Sequence, residues 1–191
     1  MLEHKNTRIL NQYSIHTQRD LLGELRSEIQ RSGIHKIVVL DDDPTGTQTV
    51  ANVPVYTGWD EESIKDIFAN EYLLNFILTN SRAFSEEKTV QVHQEIALNL
   101  KKSAAVTEKK YLLISRADST LRGHYPTETE VLRRELEKDN TICFDGEVIC
   151  PYFAEGGRYT IDNVHYVRYG SELIPAAETE FAKDETFGYH E

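Results

Sequence analysis

Apolar residues along the chain follow two alternating spacings. Leu21, Leu22, Leu25 and Ile29 recur at helical intervals, with Thr17 placed to cap the start and Gly33 to end it, which predicts an amphipathic helix over residues 17–31. Residues 37–40 (Ile, Val, Val, Leu) follow as an unbroken apolar run, the pattern of a strand buried on both faces of a parallel sheet. The two signals then repeat. Residues 53–56, 76–78, 111–114 and 148–150 read as strands, the second and the last also as buried ones. Glu61–Ala69 reads as a helix, as does a stretch capped by Ser85 that carries Val90, Val92, Ile96, Ala97 and Leu100. Residues 128–137 read as another, headed by Thr127 and Glu130 at capping-box spacing.

Strands alternating with helices at this interval predict an α/β fold, layered, with a largely parallel sheet flanked by helices. Residues 159–161 and 165–167 flank Asp162-Asn163, and asparagine tolerates positive φ, so a hairpin is expected as a C-terminal extension. Residues 170–191 hold few apolar side chains and no helix to cover a sheet. The 191 residues, 39% hydrophobic, suffice for one good core, and we read 1–35 as a helical segment packed on a domain formed by 36–191.

Charge narrows the partners. The chain has 32 acidic against 21 basic residues, a formal net charge of −11, and its basic residues form no block, which argues against nucleic acid and anionic membranes as partners. A small anion is not excluded, because a few arginines in a partly desolvated cleft outweigh distant surface charge. No window reaches the ~18–20 apolar residues of a membrane span, and the polar start does not resemble a signal peptide, so a cytoplasmic protein is expected. Cys143 and Cys150 fit neither a disulfide framework nor a zinc site and are expected to be buried thiols.

Three polar clusters follow three of the expected strands: Asp41-Asp42-Asp43-Pro44-Thr45-Gly46-Thr47, Thr79-Asn80-Ser81-Arg82, and the stretch from Ser115 to His124. In open parallel sheets ligands bind beyond the carboxyl ends of the strands, so these clusters are expected on one rim. Three adjacent carboxylates suit Mg2+ binding or acceptance of protons from substrate hydroxyls, but also a capped turn with two solvated side chains. Arg116 and Arg122, with hydroxyls and Asp118 between them, suit a carboxylate or phosphate beside a polyol, or a surface loop whose arginines pair with acidic neighbours. Gly156-Gly157-Arg158 permits close backbone approach to a ligand, or a tight turn into the hairpin.

From these residues alone, one reading is a haloacid-dehalogenase-like Mg-dependent phosphatase. Asp41-x-Asp43-x-Thr45 would supply nucleophile and acid/base, and Thr79 the phosphate-contacting hydroxyl. It finds no later carboxylate pair and gives residues 115–124 no role. The clusters taken together resemble the sugar-binding N-terminal domain of the four-carbon acid sugar kinase family. That resemblance rests on residues 40–50, 77–82, 115–124, Cys150-Pro151 through Gly156-Gly157-Arg158, and Phe181 to Tyr189, in that order.

The resemblance implies the substrate-binding portion of an ATP-dependent kinase that phosphorylates erythronate, threonate or a 3-oxo-tetronate at its terminal hydroxyl. Asp42 and Asp43 would be catalytic and hold substrate hydroxyls. Arg116, Asp118, Ser119 and Arg122 would bind the acid sugar, with an arginine on its carboxylate, and Ser81, Arg82, Gly157 and Arg158 would line the same cleft. ATP and Mg2+ are implied for the full-length enzyme, through a C-terminal nucleotide-binding domain expected to be missing here. No GxxxxGK[ST] loop occurs, and no metal ligand set is expected of these residues. A non-catalytic sugar-acid-binding module is the remaining alternative.

Overall fold

The computed structural model describes residues 2–13, 21–48, 50–139 and 142–187. Its strands and α-helices run β1 (Lys5–Asn6), α1 (Leu21–Ser32), β2 (Ile34–Asp41), β3 (Val55–Tyr56), α2 (Glu61–Ala69), β4 (Leu74–Leu78), α3 (Glu86–Thr107), β5 (Lys110–Arg116), α4 (Thr127–Glu137), β6 (Arg158–Ile161), β7 (Val164–Tyr169) and β8 (Glu172–Pro175). The chain divides into two compact units: one of Gly23–Ala117 and His124–Glu147, the other of Met1–Leu22, Asp118–Gly123 and Val148–Glu191.

The first unit is built on a four-stranded sheet in the order β3-β4-β2-β5, with every pairing parallel. Central β2 carries the unbroken apolar run. Its Val38 and Leu40, with Ile77 of β4, join a core of Ile64, Ile67 and Phe68 (α2), Val92, Ile96, Ala97 and Leu100 (α3), and Leu132 and Leu136 (α4). The caps are side chains that satisfy otherwise orphaned amides: Asp60 accepts from the N–H of Glu62 and Ser63 ahead of α2, and Ser85 from that of Lys88 ahead of α3.

Strand β5 lies at the sheet edge, so Tyr111 and Leu113 pack on the core while Leu112 and Ile114 are 44% and 41% exposed. Two expectations for this unit need correction. The capping box at α4 does not form, because Pro126 takes the cap position. Thr127 then lies inside the helix and donates to Glu86, while Glu130 pairs with Arg134 one turn on. Cys143 is exposed, in coil beyond α4.

The second unit is an antiparallel sheet in the order β1-β8-β7-β6. The expected hairpin is present: Asp162 and Asn163 take φ of 50° and 64°, and Ile161 pairs with Val164 across the turn. The hairpin is part of a larger sheet, since β8 pairs with β7 and the N-terminal strand β1 pairs with β8. Sparse apolar residues are enough to seat it. Leu173 is fully buried with Ile161 and Tyr166, and Phe187 packs with Val167 and Ala176.

Residues 148–150 form no strand. Val148 and Ile149 are 93% and 61% exposed, and Cys150 is exposed too. Three apolar residues are too short a signal to separate strand from coil without a neighbour to pair with. Helix α1 forms over Leu21–Ser32, one residue past its expected end; none of its residues is buried, and Leu21, Leu22 and Leu25 are exposed. Thr17, expected to cap it, lies outside the described residues. No helix among the described residues is long and apolar enough to cross a membrane.

Candidate functional site

Parallel register brings the ends of three strands together in the first unit. Asp41 at the end of β2 stands opposite Leu78 of β4 and Arg116 of β5, so the residues that follow leave one sheet edge side by side. The rim expected from the sequence is therefore present for residues 41–47, 79–82 and 115–116. Asn80, at φ 56°, turns the chain left-handed into a short 3-10 turn, Ser81–Ala83, whose Arg82 N–H donates back to the Asp42 carbonyl at 3.3 Å. That turn aims the Arg82 side chain at β2.

The arginines meet the protein's own carboxylates. Arg82 Nε and Nη2 donate to Asp42 Oδ2 and Oδ1 at 3.0 and 2.8 Å, and its Nη1 lies 3.2 Å from Asp43 Oδ2. Arg116 Nη1 donates to Asp41 Oδ1 at 3.2 Å and lies 3.9 Å from Asp42. Asp43 accepts from the Thr45 N–H at 2.8 Å and from its hydroxyl. Asp41 and Asp42 are 1% and 2% exposed. A Cβ at Gly46 would fall 1.8 Å from Asp41 Oδ2, so the turn after β2 lies against that carboxylate and requires glycine there.

Burial separates the three carboxyls. It pushes Asp41 up to about 6, against Arg116 and with help from the charges of Asp42 and Asp43. It also raises Asp42 above the usual carboxylate range, despite the Arg82 fork. Partial burial acts the same way on Asp43, but the two Thr45 hydrogen bonds and the nearby arginines hold it below that range. Asp43 is thus ionised and the more open of the three, suited to accept hydrogen bonds from hydroxyl groups.

Behind this cluster, Ser81 is fully buried, and its hydroxyl donates to Glu128 Oε1 at 2.6 Å. Glu128 is itself 2% exposed, and His93 Nε2 lies 3.9 Å from it. Ser81 therefore anchors the turn that carries Arg82. Thr79 donates to the Asp41 backbone carbonyl at 2.9 Å. The phosphatase reading needs Asp41 as an open nucleophile and the Thr79 hydroxyl on phosphate; both groups face inward. Among the described residues no group of three or more His, Cys, Asp or Glu is arranged to hold a metal ion.

The second unit carries its own cluster. Asp118, Ser119 and Arg122 fall in this unit, since the boundary runs between Ala117 and Asp118. Asp118 Oδ2 accepts from Arg122 Nε at 2.7 Å and from the Thr120 hydroxyl, and the turn closes through Leu121 at φ 66°. His165 on β7, held against the Ser119 carbonyl at 2.8 Å, fixes the other side of the loop. Arg122 also reaches Asp184 at 3.8 Å and lies over the Phe181 ring, 5.3 Å from its centre. Arg158 lies over the same ring at 5.7 Å.

The Gly-Gly pair builds the turn that delivers Arg158. A Cβ at Gly156 would fall 2.4 Å from the Phe153 ring, Gly157 sits at φ 76°, and Arg158 and Phe153 exchange backbone hydrogen bonds across the turn. Sequence reasoning gave no role to Glu128, His165, Phe181 or Asp184. Phe181 and Asp184 lie in one of the blocks that carried the resemblance, and that was their only signal.

A hollow lined by Glu86, Val90 and Thr127 carries an Arg134–Glu130 pair on the surface of α4, away from the strand ends, and another is lined by Tyr56, Asp60 and Asp66 without an arginine. No curated protein matches the chain. Residues 37–191 match the sugar-binding N-terminal domain family. With the parallel sheet, the acidic strand end and the two arginine-carboxylate clusters in place, the chain belongs to that sugar-binding N-terminal domain family.

Proposed function

We propose that the chain is the substrate-binding part of an ATP-dependent kinase acting on the terminal hydroxyl of a four-carbon sugar acid: erythronate, threonate or a 3-oxo-tetronate. The observation that carries this reading is the Asp42-Asp43 pair, held by Arg82 at the carboxyl ends of adjacent parallel strands in a sugar-binding domain. Asp43 accepts hydrogen bonds from substrate hydroxyls. Asp42 orients the acceptor hydroxyl with Arg116 beside it, and Asp118, Ser119, Arg122, Gly157 and Arg158 of the other unit supply groups suited to an acid sugar.

Phosphoryl transfer depends chiefly on positioning and on neutralising developing charge, so a carboxylate that orients the acceptor hydroxyl contributes without being a strong base. ATP and Mg2+ would supply the phosphoryl group and its charge neutralisation. We assign both to a nucleotide-binding domain outside these residues.

Calorimetric titration of the 191-residue chain with erythronate and threonate, alongside a coupled ADP-release assay, tests both halves. Weak tetronate binding without turnover is expected; ATP-dependent turnover by these residues alone refutes the division of labour, and no binding of any tetronate refutes the substrate class. An aryl phosphate with Mg2+ should not be hydrolysed. Hydrolysis abolished by Asp41→Asn would put the phosphatase reading first.

A further inference from the structure

Four arginines come from the polar clusters and the Gly-Gly turn, and three are held by the protein's own carboxylates. Arg82 is paired with Asp42 and Asp43, Arg116 with Asp41 and Asp42, and Arg122 with Asp118 and Asp184. Arg158 has no carboxylate within ion-pair distance among the described residues. Its Nη1 donates to the Gly156 carbonyl, and its Nε is buried without an acceptor. Glu180, whose ionisation Arg158 favours, accepts instead from the Tyr169 hydroxyl at 2.6 Å.

A buried guanidinium donor without an acceptor is rare in native proteins and calls for an explanation. The surroundings are built to hold the group in place. Gly156 and Gly157 shape the turn, and the Phe181 ring takes Arg158 and the already paired Arg122 together.

We infer that Arg158 is the anion receptor of this unit, taking the carboxylate of a small hydroxy acid, while Arg122, Phe181 and Asp184 position it. The inference deepens the sugar-acid reading by naming which arginine takes the acid group. A guanidinium already paired with a carboxylate must give up that partner to receive another; among the described residues Arg158 has no carboxylate to give up, and its Nη1 bond to the Gly156 carbonyl leaves the rest of the fork for a ligand. Its planar fork matches a carboxylate with two parallel hydrogen bonds, a geometry that lysine cannot reproduce.

The test is a 15N NMR titration of arginine Nε–H signals in the 191-residue chain, with the Arg158 signal assigned by its loss in Arg158→Lys. The probes are glycolate, neutral glycolamide, inorganic phosphate, erythronate and threonate. Glycolate should shift the Arg158 signal saturably before the other three arginines respond, glycolamide should not, and Arg158→Lys should weaken glycolate binding at least about tenfold. A response led by Arg122 or Arg116, or an Arg158 signal indifferent to every anion, overturns the inference. So does a response to phosphate without one to glycolate. If glycolate moves Arg158 but neither tetronate binds more tightly than glycolate, the receptor stands and the four-carbon reading falls. Tetronate binding that leaves Arg158 unmoved has the reverse meaning.

Discussion

Replacing Arg82 with alanine strips Asp42 of both its fork contacts, at 3.0 and 2.8 Å, and leaves a 2% exposed carboxylate whose next cation, Arg116, is 3.9 Å away. Removing one partner of a buried pair costs about 3–5 kcal/mol, because the surviving charge keeps its desolvation penalty and loses its compensation. In a chain of this length that corresponds to a fall in Tm on the order of 10 °C. The double variant Arg82→Ala/Asp42→Asn removes the stranded charge as well and should recover at least about half of the loss.

Urea unfolding followed through Trp59 reports on this unit, since that residue is the chain's single tryptophan and packs against the core beneath the sheet. The penalty should also depend on pH. The Asp42 carboxyl is already raised by burial, and loss of Arg82 raises it further, so the folded variant keeps a proton that the unfolded chain releases. The deficit is therefore smallest near about pH 5 and grows toward about pH 8. An Arg82→Ala protein within about 1 kcal/mol of wild type at the higher pH, or a double variant no better than the single, would refute the reasoning.

Asp41 should titrate near 6 in carboxyl 13C NMR. Because its folded value lies above the unfolded one, its contribution to stability should fall as pH rises from about 4 through 6, a slope that Asp41→Asn abolishes; a midpoint in the ordinary carboxylate range refutes this. Gly46→Ala places a Cβ 1.8 Å from Asp41 Oδ2 and should cost about 1–3 kcal/mol in the same urea assay, with loss of tetronate binding by calorimetry; unchanged values refute the close approach. Asn80→Gly should be tolerated and Asn80→Val should destabilise by about 1–2 kcal/mol, because φ is 56° there; equal melting temperatures for the two variants count against that turn.

The central sheet was legible because its signal is redundant. An unbroken apolar run, helices at 3.6-residue spacing and serviceable caps all say the same thing for residues 37–40, Glu61–Ala69 and the helix after Ser85. Single-signal elements fared worse. Residues 148–150 have hydrophobicity but no partner strand, and the capping-box spacing at Thr127 was overruled by Pro126 one residue earlier. The strand β8 and its pairing with Lys5–Asn6 were invisible, because a strand built from residues far apart in sequence leaves no local pattern. The site was legible as residue types at strand ends. Which arginine meets which carboxylate depends on side-chain reach across strands, and no spacing encodes that.

That pairing changes what the acidic run after β2 is for. Three adjacent aspartates suggest a cation site or a base, yet each is committed before any ligand arrives: Asp41 to Arg116, Asp42 to Arg82, and Asp43 to Thr45 and Arg82. Two guanidinium charges against three carboxylates leave this cluster one unit negative, a setting that accepts hydrogen bonds from hydroxyl groups more readily than it attracts an acid. Fixed partners also hold the oxygens in place, so a polyol meets acceptors already oriented and loses less entropy on binding than flexible side chains would impose. An anionic group is better served where a guanidinium has no carboxylate partner, and among the four arginines of these clusters, within the described residues, that is Arg158. The two kinds of cluster therefore differ in the chemistry each favours, hydroxyl groups in one unit and an acid group in the other, and the formal charge of −11 does not oppose the second because recognition there is local.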